Sequence, residues 1–191
     1  MAIAKDFIFF ARLSLDFAHT GDMGYGSRFE RFRTTAELRR WFSLSPLRLI
    51  LARVRRADLA RAKKLRGAIW RVASAVVERK LPDPRDVRVL NDFACEPGLV
   101  KELDRKARAS RWLRPTAAAA LATIAQDAVE LFGNPLQRAR MRRCGNPRCI
   151  SIFYDDSRPG LRRWCVSNRC GDRIRAQTYR RRRRSRRARA R

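Results

Sequence analysis

Between Asp58 and Arg79, apolar side chains recur at every third or fourth position. Leu59, Ala62, Leu65, Ile69, Val72 and Val76 fall on one stripe, while Arg61, Lys63, Lys64, Arg66 and Arg71 occupy the other faces. The spacing predicts an amphipathic core helix of about six turns, with the charges on its solvated side. Leu81-Pro82-Asp83-Pro84 stops it, and a shorter helix opening at Asp86 runs through Val87, Leu90 and Phe93, ending near Cys95, read as a small buried thiol. Upstream, Thr34 and Glu37 stand at capping-box spacing for a helix over TAELRRWF, and Ser45-Pro46 reads as the start of another. Thr116 caps an alanine-rich helix that Gly133-Asn134-Pro135 closes.

Two stretches resist periodicity. Residues 6–18, DFIFFARLSLDFA, are apolar at most positions and suit either a buried helix or a strand. GLVKELDRKARASRWLRP suits a charged helix or a short β-hairpin, and the hairpin is preferred because apolar ends flank a polar middle. Asp16 and His19 lie at the end of the first apolar run, before a glycine-rich turn. They read first as residues that cap the element, with a small-molecule pocket as the sharper alternative. The fold class is therefore mainly α: an N-terminal helical domain over residues 1–133, with a possible hairpin.

From residue 134 the pattern changes. A basic connector, 134–143, leads into CGNPRCISIFYDDSRPGLRRWCVSNRC, in which Cys144, Cys149, Cys165 and Cys170 form two C-x4-C pairs separated by fifteen residues. Two short loops, each supplying two thiolates, meet the tetrahedral preference of Zn²⁺ with little chain to order, so one structural zinc ion is expected. Gly145 and Gly171, each directly after a cysteine, read as positions of permissive backbone conformation. Paired disulfides are the alternative, but the apolar run between Asp6 and Arg12 is five residues, too short for an export signal to an oxidising compartment. Four thiolates leave no coordination position for water, and Asp155 and Asp156 sit among turn formers without a partner base, so no enzyme is expected. Ile150, Ile152 and Phe153 read as a strand of a hairpin, a helix follows Cys170, and Phe153, Tyr154 and Trp164 are placed as the shield of the metal. The module ends near Tyr179, and an Arg-rich tail over 180–191 is expected to be disordered.

Charge sharpens this reading. The 191-residue chain carries 46 Lys+Arg against 18 Asp+Glu, a net charge of +28, and from Arg138 onward 20 arginines face 3 acids. No apolar run reaches the roughly 18 residues of a membrane span, so no membrane partner is expected. An arginine-dominated surface beside a zinc module points to phosphates, and Arg162, Arg163, Arg173, Arg175, Arg180, Arg181, Arg182, Arg183 and Arg184 are the candidate nucleic-acid contacts. Duplex DNA is favoured, and an RNA- or ribosome-associated factor is the alternative.

The whole chain resembles the bacterial family that joins an N-terminal ABATE domain to a C-terminal CGNR zinc finger. LSLDFAHT is similar to that family's leucine, Asp-Phe and Asn-Thr signature, with His19 where asparagine is usual; SRPGLRRWC and CGDR match its RRWC and CGNR stretches, with Asp172 replacing the asparagine. The resemblance implies that the four cysteines are metal ligands and that Arg173 is the motif arginine. It also implies a stress-induced, DNA-binding transcription regulator in the bacterial cytoplasm, at the nucleoid, whose N-terminal domain senses a ligand or forms a homodimer.

Overall fold

The computed structural model describes Phe7, Phe9, residues 11–21 and residues 29–189, with Arg184 and 186–189 described by backbone alone. The glycine-rich turn expected after His19 falls largely outside the described residues.

The apolar N-terminal stretch resolves as a short helix, α1 (Leu13–Ala18), with Leu15, Phe17 and Ala18 buried. Helix α2 (Thr35–Leu44) opens with the expected capping box, in which Thr34 and Glu37 satisfy each other's backbone N–H. The expected helix at Ser45-Pro46 does not form. Ser45 instead ends α2, its hydroxyl donating to the Phe42 carbonyl (3.0 Å) and accepting from Leu47 N–H (3.3 Å), and Arg48 turns the chain at φ 51. The turn and the residues after it bury Leu47, Leu49 and Leu51 while Ile50 stands 89% exposed.

The long amphipathic segment is helix α3 (Arg56–Val77), and its stripe carries Ala62, Leu65, Ile69 and Val72 into the core. Helix α4 (Pro84–Ala94) is capped by Asp83 with Pro84 at its first position, two residues before the expected opening. Cys95 ends it exposed, not buried as the sequence led us to expect. The preferred hairpin is present as β1 (Lys101–Leu103) antiparallel to β2 (Ser110–Trp112), with Trp112 tied to the Leu47 carbonyl at 2.7 Å. Helix α5 (Ala117–Gly133) lays its small residues against α1, α3 and α4, and Asn134 caps the single-turn α6 (Pro135–Arg138). These elements close one core around Phe17, Phe32, Trp41, Leu65, Ile69 and Leu121.

The connector does not stay a connector. Its last three residues form β3 (Met141–Arg143), antiparallel to β4 (Ile152–Tyr154). The hairpin of the module therefore brackets the first cysteine pair, whereas the sequence placed it between the two pairs. Past Cys165, a π-helical turn (Ser167–Gly171) that carries Cys170 leads into α7 (Asp172–Arg189). The helix thus continues ten residues past Tyr179, through most of the tail expected to be disordered. Arginine is a good helix former, and a first turn already fixed at Cys170 removes the costly nucleation step that an isolated basic segment faces.

Candidate metal centre

The two cysteine pairs are brought together by the geometry of their own loops. Cys144 N–H bonds the Ser151 carbonyl at 2.9 Å, closing the hairpin over the first knuckle, and Cys149 N–H bonds Asn146 O at 2.8 Å within it. Gly145 N–H reaches across to Arg163 O at 2.9 Å, binding the first knuckle to the segment that enters the second. In the second knuckle, Cys170 N–H bonds Val166 O at 2.9 Å.

The result is a cluster in which the four Sγ atoms of Cys144, Cys149, Cys165 and Cys170 lie within 4.8 Å of one another. Cys165 Sγ stands 3.7 Å from both Cys149 Sγ and Cys170 Sγ. A disulfide needs about 2.05 Å. A tetrahedron with sulfur about 2.3 Å from its centre has edges of about 3.8 Å, so the spacing fits a zinc ion and excludes the disulfide reading. The electrostatics agree. Cys149 is drawn down to about 4, chiefly by hydrogen bonding from the Cys165 thiol. Cys165 is pushed up by that same contact and by burial, and Cys170 by burial and the charge on Cys149. Thiolates this close ionise together only around a cation.

Phe153 is buried against the cysteines, and Trp164 and Val166 pack beside them. Tyr154, expected as part of this shield, lies instead in a separate cluster with Leu15, Ala73, Leu131, Met141 and Ile152 that joins the module to the helical domain. Trp164 crowds both glycines. A Cβ on Gly145 would lie 3.1 Å from Trp164 Cζ3, and one on Gly171 3.0 Å from Trp164 Cδ1. Neither glycine has positive φ, so crowding rather than backbone freedom disfavours a side chain there: besides the indole, a Cβ would meet Arg163 O at 3.2 Å at Gly145 and an Arg175 guanidinium nitrogen at 3.1 Å at Gly171. Among the described residues, the glycine in left-handed conformation is Gly160, at φ 62.

Asp155 does more than turn the chain. Its carboxylate is fully buried and accepts from Ser157 Oγ (2.5 Å), Ser157 N–H (3.1 Å), Arg162 N–H (2.9 Å) and Arg142 Nε (3.3 Å). Burial opposes ionisation, but these donors prevail and hold the carboxyl below its ordinary value. Arg140 braces the same loop, donating to the carbonyls of Asp155 (3.0 Å) and Ser157 (2.8 Å). Sequence reasoning gave Asp155 only a turn-forming role and passed over Arg140. The available signal was the rarity of an acid in so basic a segment.

The candidate nucleic-acid residues divide. Arg162 is turned inward, with its guanidinium bonded to Trp164 O (3.0 Å), Asp156 (2.8 Å) and Cys165 O and stacked 4.9 Å over the Phe153 ring. Arg163 is exposed and lies over Trp164 at 5.3 Å. Arg173, Arg175, Arg180, Arg181, Arg182 and Arg183 are exposed along α7, where Asp172 pairs with Arg175. The Arg184 side chain lies outside the described residues.

Asp16 and His19 do not line the cleft between the helical domain and the finger. Asp16 is buried in α1, and His19 ends that helix at the seam with the finger. There its ring meets Trp70 edge-on at 5.5 Å and bonds Ile152 N–H. Among the described residues no helix is long and apolar enough to cross a membrane.

Comparison with known families gives two matches. Residues 11–135 match the ABATE model, described as "Putative stress-induced transcription regulator". Residues 140–183 match the CGNR zinc finger model, a span that begins one residue before β3 rather than at the first cysteine. No curated protein matches the chain.

Proposed function

The chain belongs to the ABATE family and carries a CGNR zinc finger, and on that premise we propose that it is a zinc-stabilised, DNA-binding transcription regulator. In this reading Cys144, Cys149, Cys165 and Cys170 hold the ion as thiolates, and the bound zinc supplies rigidity rather than reaction chemistry. Residues 1–133 form the sensing or dimerising part, and the finger carries the nucleic-acid contacts.

The observation that carries the proposal is the way α7 leaves the metal site. The helix begins two residues after Cys170 and has ten arginines against one aspartate over Asp172–Arg189. Zinc fixes where the helix starts and in which direction it runs, and the helix presents guanidinium groups that bind phosphates and guanine edges bidentately. Arg173 and Arg180 are seven residues apart, nearly two turns, and so share one face. Arg163 extends the basic surface onto the finger.

Selection of bound sequences from a random duplex library, with zinc-loaded protein at near-physiological salt, tests the proposal. An enriched motif supports sequence reading by a regulator. Absence of any motif, with structured RNA outcompeting duplex DNA at the same salt, overturns it in favour of an RNA-binding factor.

A further inference from the structure

We propose that the cleft between the helical domain and the finger is an effector site for an amphipathic monoanion, an acyl or aryl group carrying a single carboxylate. This deepens the regulator reading by naming an effector class, and it rests on that reading for its biological meaning.

The cleft has a volume of about 1500 Å³. The end of α3 and the turn after it, α4 and the last turns of α5 line it from the helical domain, and β3, Gly145 and residues 161–163 line it from the finger. Its apolar surface includes Val72, Leu90 and Met141, all buried, with Val76 and Phe132 beside them. Leu81 from the helical domain and Leu161 from the finger also line it, and they are 95% and 75% exposed. Large apolar side chains held in water by two different modules around one concavity are surface that a ligand would cover.

The polar lining has one sign. Every charged side chain in it is basic, and Asn91 is the sole uncharged polar one. Some of these cations are already neutralised: Lys80 and Arg143 both pair with Glu78, and Arg142 with Asp155. Arg79 and Arg163 have no acidic partner among the described residues, and they come from the two different modules. Arg79 also sits at φ 56, the left-handed conformation in which a helix usually ends on glycine, so its side chain is kept at a position where the backbone disfavours one. An apolar surface with unneutralised guanidinium groups beside it matches a ligand with an apolar body and one anionic end. A nucleic-acid backbone would use the cations and leave the apolar surface uncovered.

Such a ligand would touch both modules at once. It would add contacts across a seam now made by one small apolar cluster, the His19–Ile152 hydrogen bond, the Arg12–Tyr154 ring contact and the Glu78 to Arg143 pair, and thereby fix the finger, with α7, relative to the helical domain.

The test is calorimetric titration of the full-length, zinc-loaded protein with sodium decanoate below its micellar concentration, with no nucleic acid present. Acetate and decyltrimethylammonium serve as probes lacking the chain and the negative charge. Expected is saturable one-to-one binding of decanoate, no binding of acetate, and at least tenfold weaker binding of the cationic amphiphile. Leu81→Asp and Arg79→Glu, both at exposed positions, should each weaken decanoate at least tenfold. No saturable binding, equal affinity for the cation, or unchanged affinity in both variants would overturn the proposal. So would displacement of decanoate by a short duplex together with loss of duplex affinity in Leu81→Asp, which would make the cleft a nucleic-acid surface. Failure of the regulator reading is seen separately, as a lack of selective duplex binding by the unliganded protein.

Discussion

His19 Nε2 accepts a hydrogen bond from the backbone N–H of Ile152 at 3.3 Å, joining the end of α1 to β4 of the finger. The opposite ring nitrogen, Nδ1, lies 2.6 Å from the Leu15 carbonyl and must donate to it. The two partners together require the neutral Nδ1–H tautomer. Replacing His19 by alanine would leave the Ile152 N–H unpartnered and open a gap beside Trp70. We expect a loss of about 2–3 kcal/mol in chemical denaturation. His19→Asn, which can still present an oxygen acceptor, should lose less.

The same contact makes stability depend on pH. Burial lowers the His19 pKa to about 4 from 6.5, against the opposing pull of the Leu15 carbonyl and the Cys149 charge. Between those two values the unfolded chain binds the proton and the folded chain does not. The His19 contribution is therefore fully present above about pH 6.5 and is lost as pH falls toward 4, by about 3 kcal/mol in all. Denaturation curves of wild type and His19→Asn should converge as pH is lowered through that window. Parallel curves would show that His19 does not titrate there.

The helical domain was largely legible because its elements announce themselves locally: the α3 stripe, the Thr34–Glu37 box, the Thr116 cap. Ser45-Pro46 misled because a serine followed by proline fits a helix start and a helix end equally well, and only the buried Phe42 carbonyl decides between them. In the finger, the metal ligands were legible from spacing alone. The roles of Gly145 and Gly171 were not, because much of the crowding at both comes from Trp164, nineteen residues from one and seven from the other. Nor was the seam, since His19 and Ile152 lie 133 positions apart. Arg162 looked like its neighbour Arg163 in the sequence, and only the fold shows which of the two is turned inward.

Removal of zinc should melt one module and spare the other. The main core is built from residues between Phe7 and Ala128, none of them in the finger. The finger's own apolar cluster is Phe153, Trp164 and Val166 packed on the cysteines themselves, too little to fold without the metal. In Cys165→Ser, or after chelation, backbone amides of β3, β4 and the first turns of α7 should exchange rapidly in hydrogen-exchange measurements while those of α3 stay protected. Loss of protection in α3 would mean that the two modules fold as one unit.

Asp155 should prove nearly as important to the finger as a ligand. Its carboxylate organises the loop between the knuckles by accepting from two backbone N–H groups, Ser157 Oγ and Arg142. Asp155→Ala leaves those donors facing a buried void, at a cost of about 3 kcal/mol. Because finger folding and zinc binding are one equilibrium, competition with a chromophoric chelator should show zinc held at least tenfold more weakly. Asp156→Ala should change little, since Asp156 is exposed and pairs only at the surface with Arg162.

Salt dependence should separate the arginines proposed to bind phosphate from those whose bonds lie within the finger. Each phosphate neutralised contributes about −0.9 to the slope of log K against log salt, so a protein touching about six phosphates shows a slope near −5. Arg173→Ala and Arg180→Ala, on one face of α7, should each make that slope shallower by about 1 and leave zinc affinity unchanged. Arg162→Ala should do the reverse, because its guanidinium is bonded to Trp164 O, Asp156 and Cys165 O within the finger. Its first effect should be weaker zinc retention, with duplex binding failing only as the finger unfolds. If Arg162→Ala instead kept zinc and made the slope shallower, the inward-turned arginine would have to swing out to reach phosphate, and the division between structural and contacting arginines drawn from the fold would be wrong.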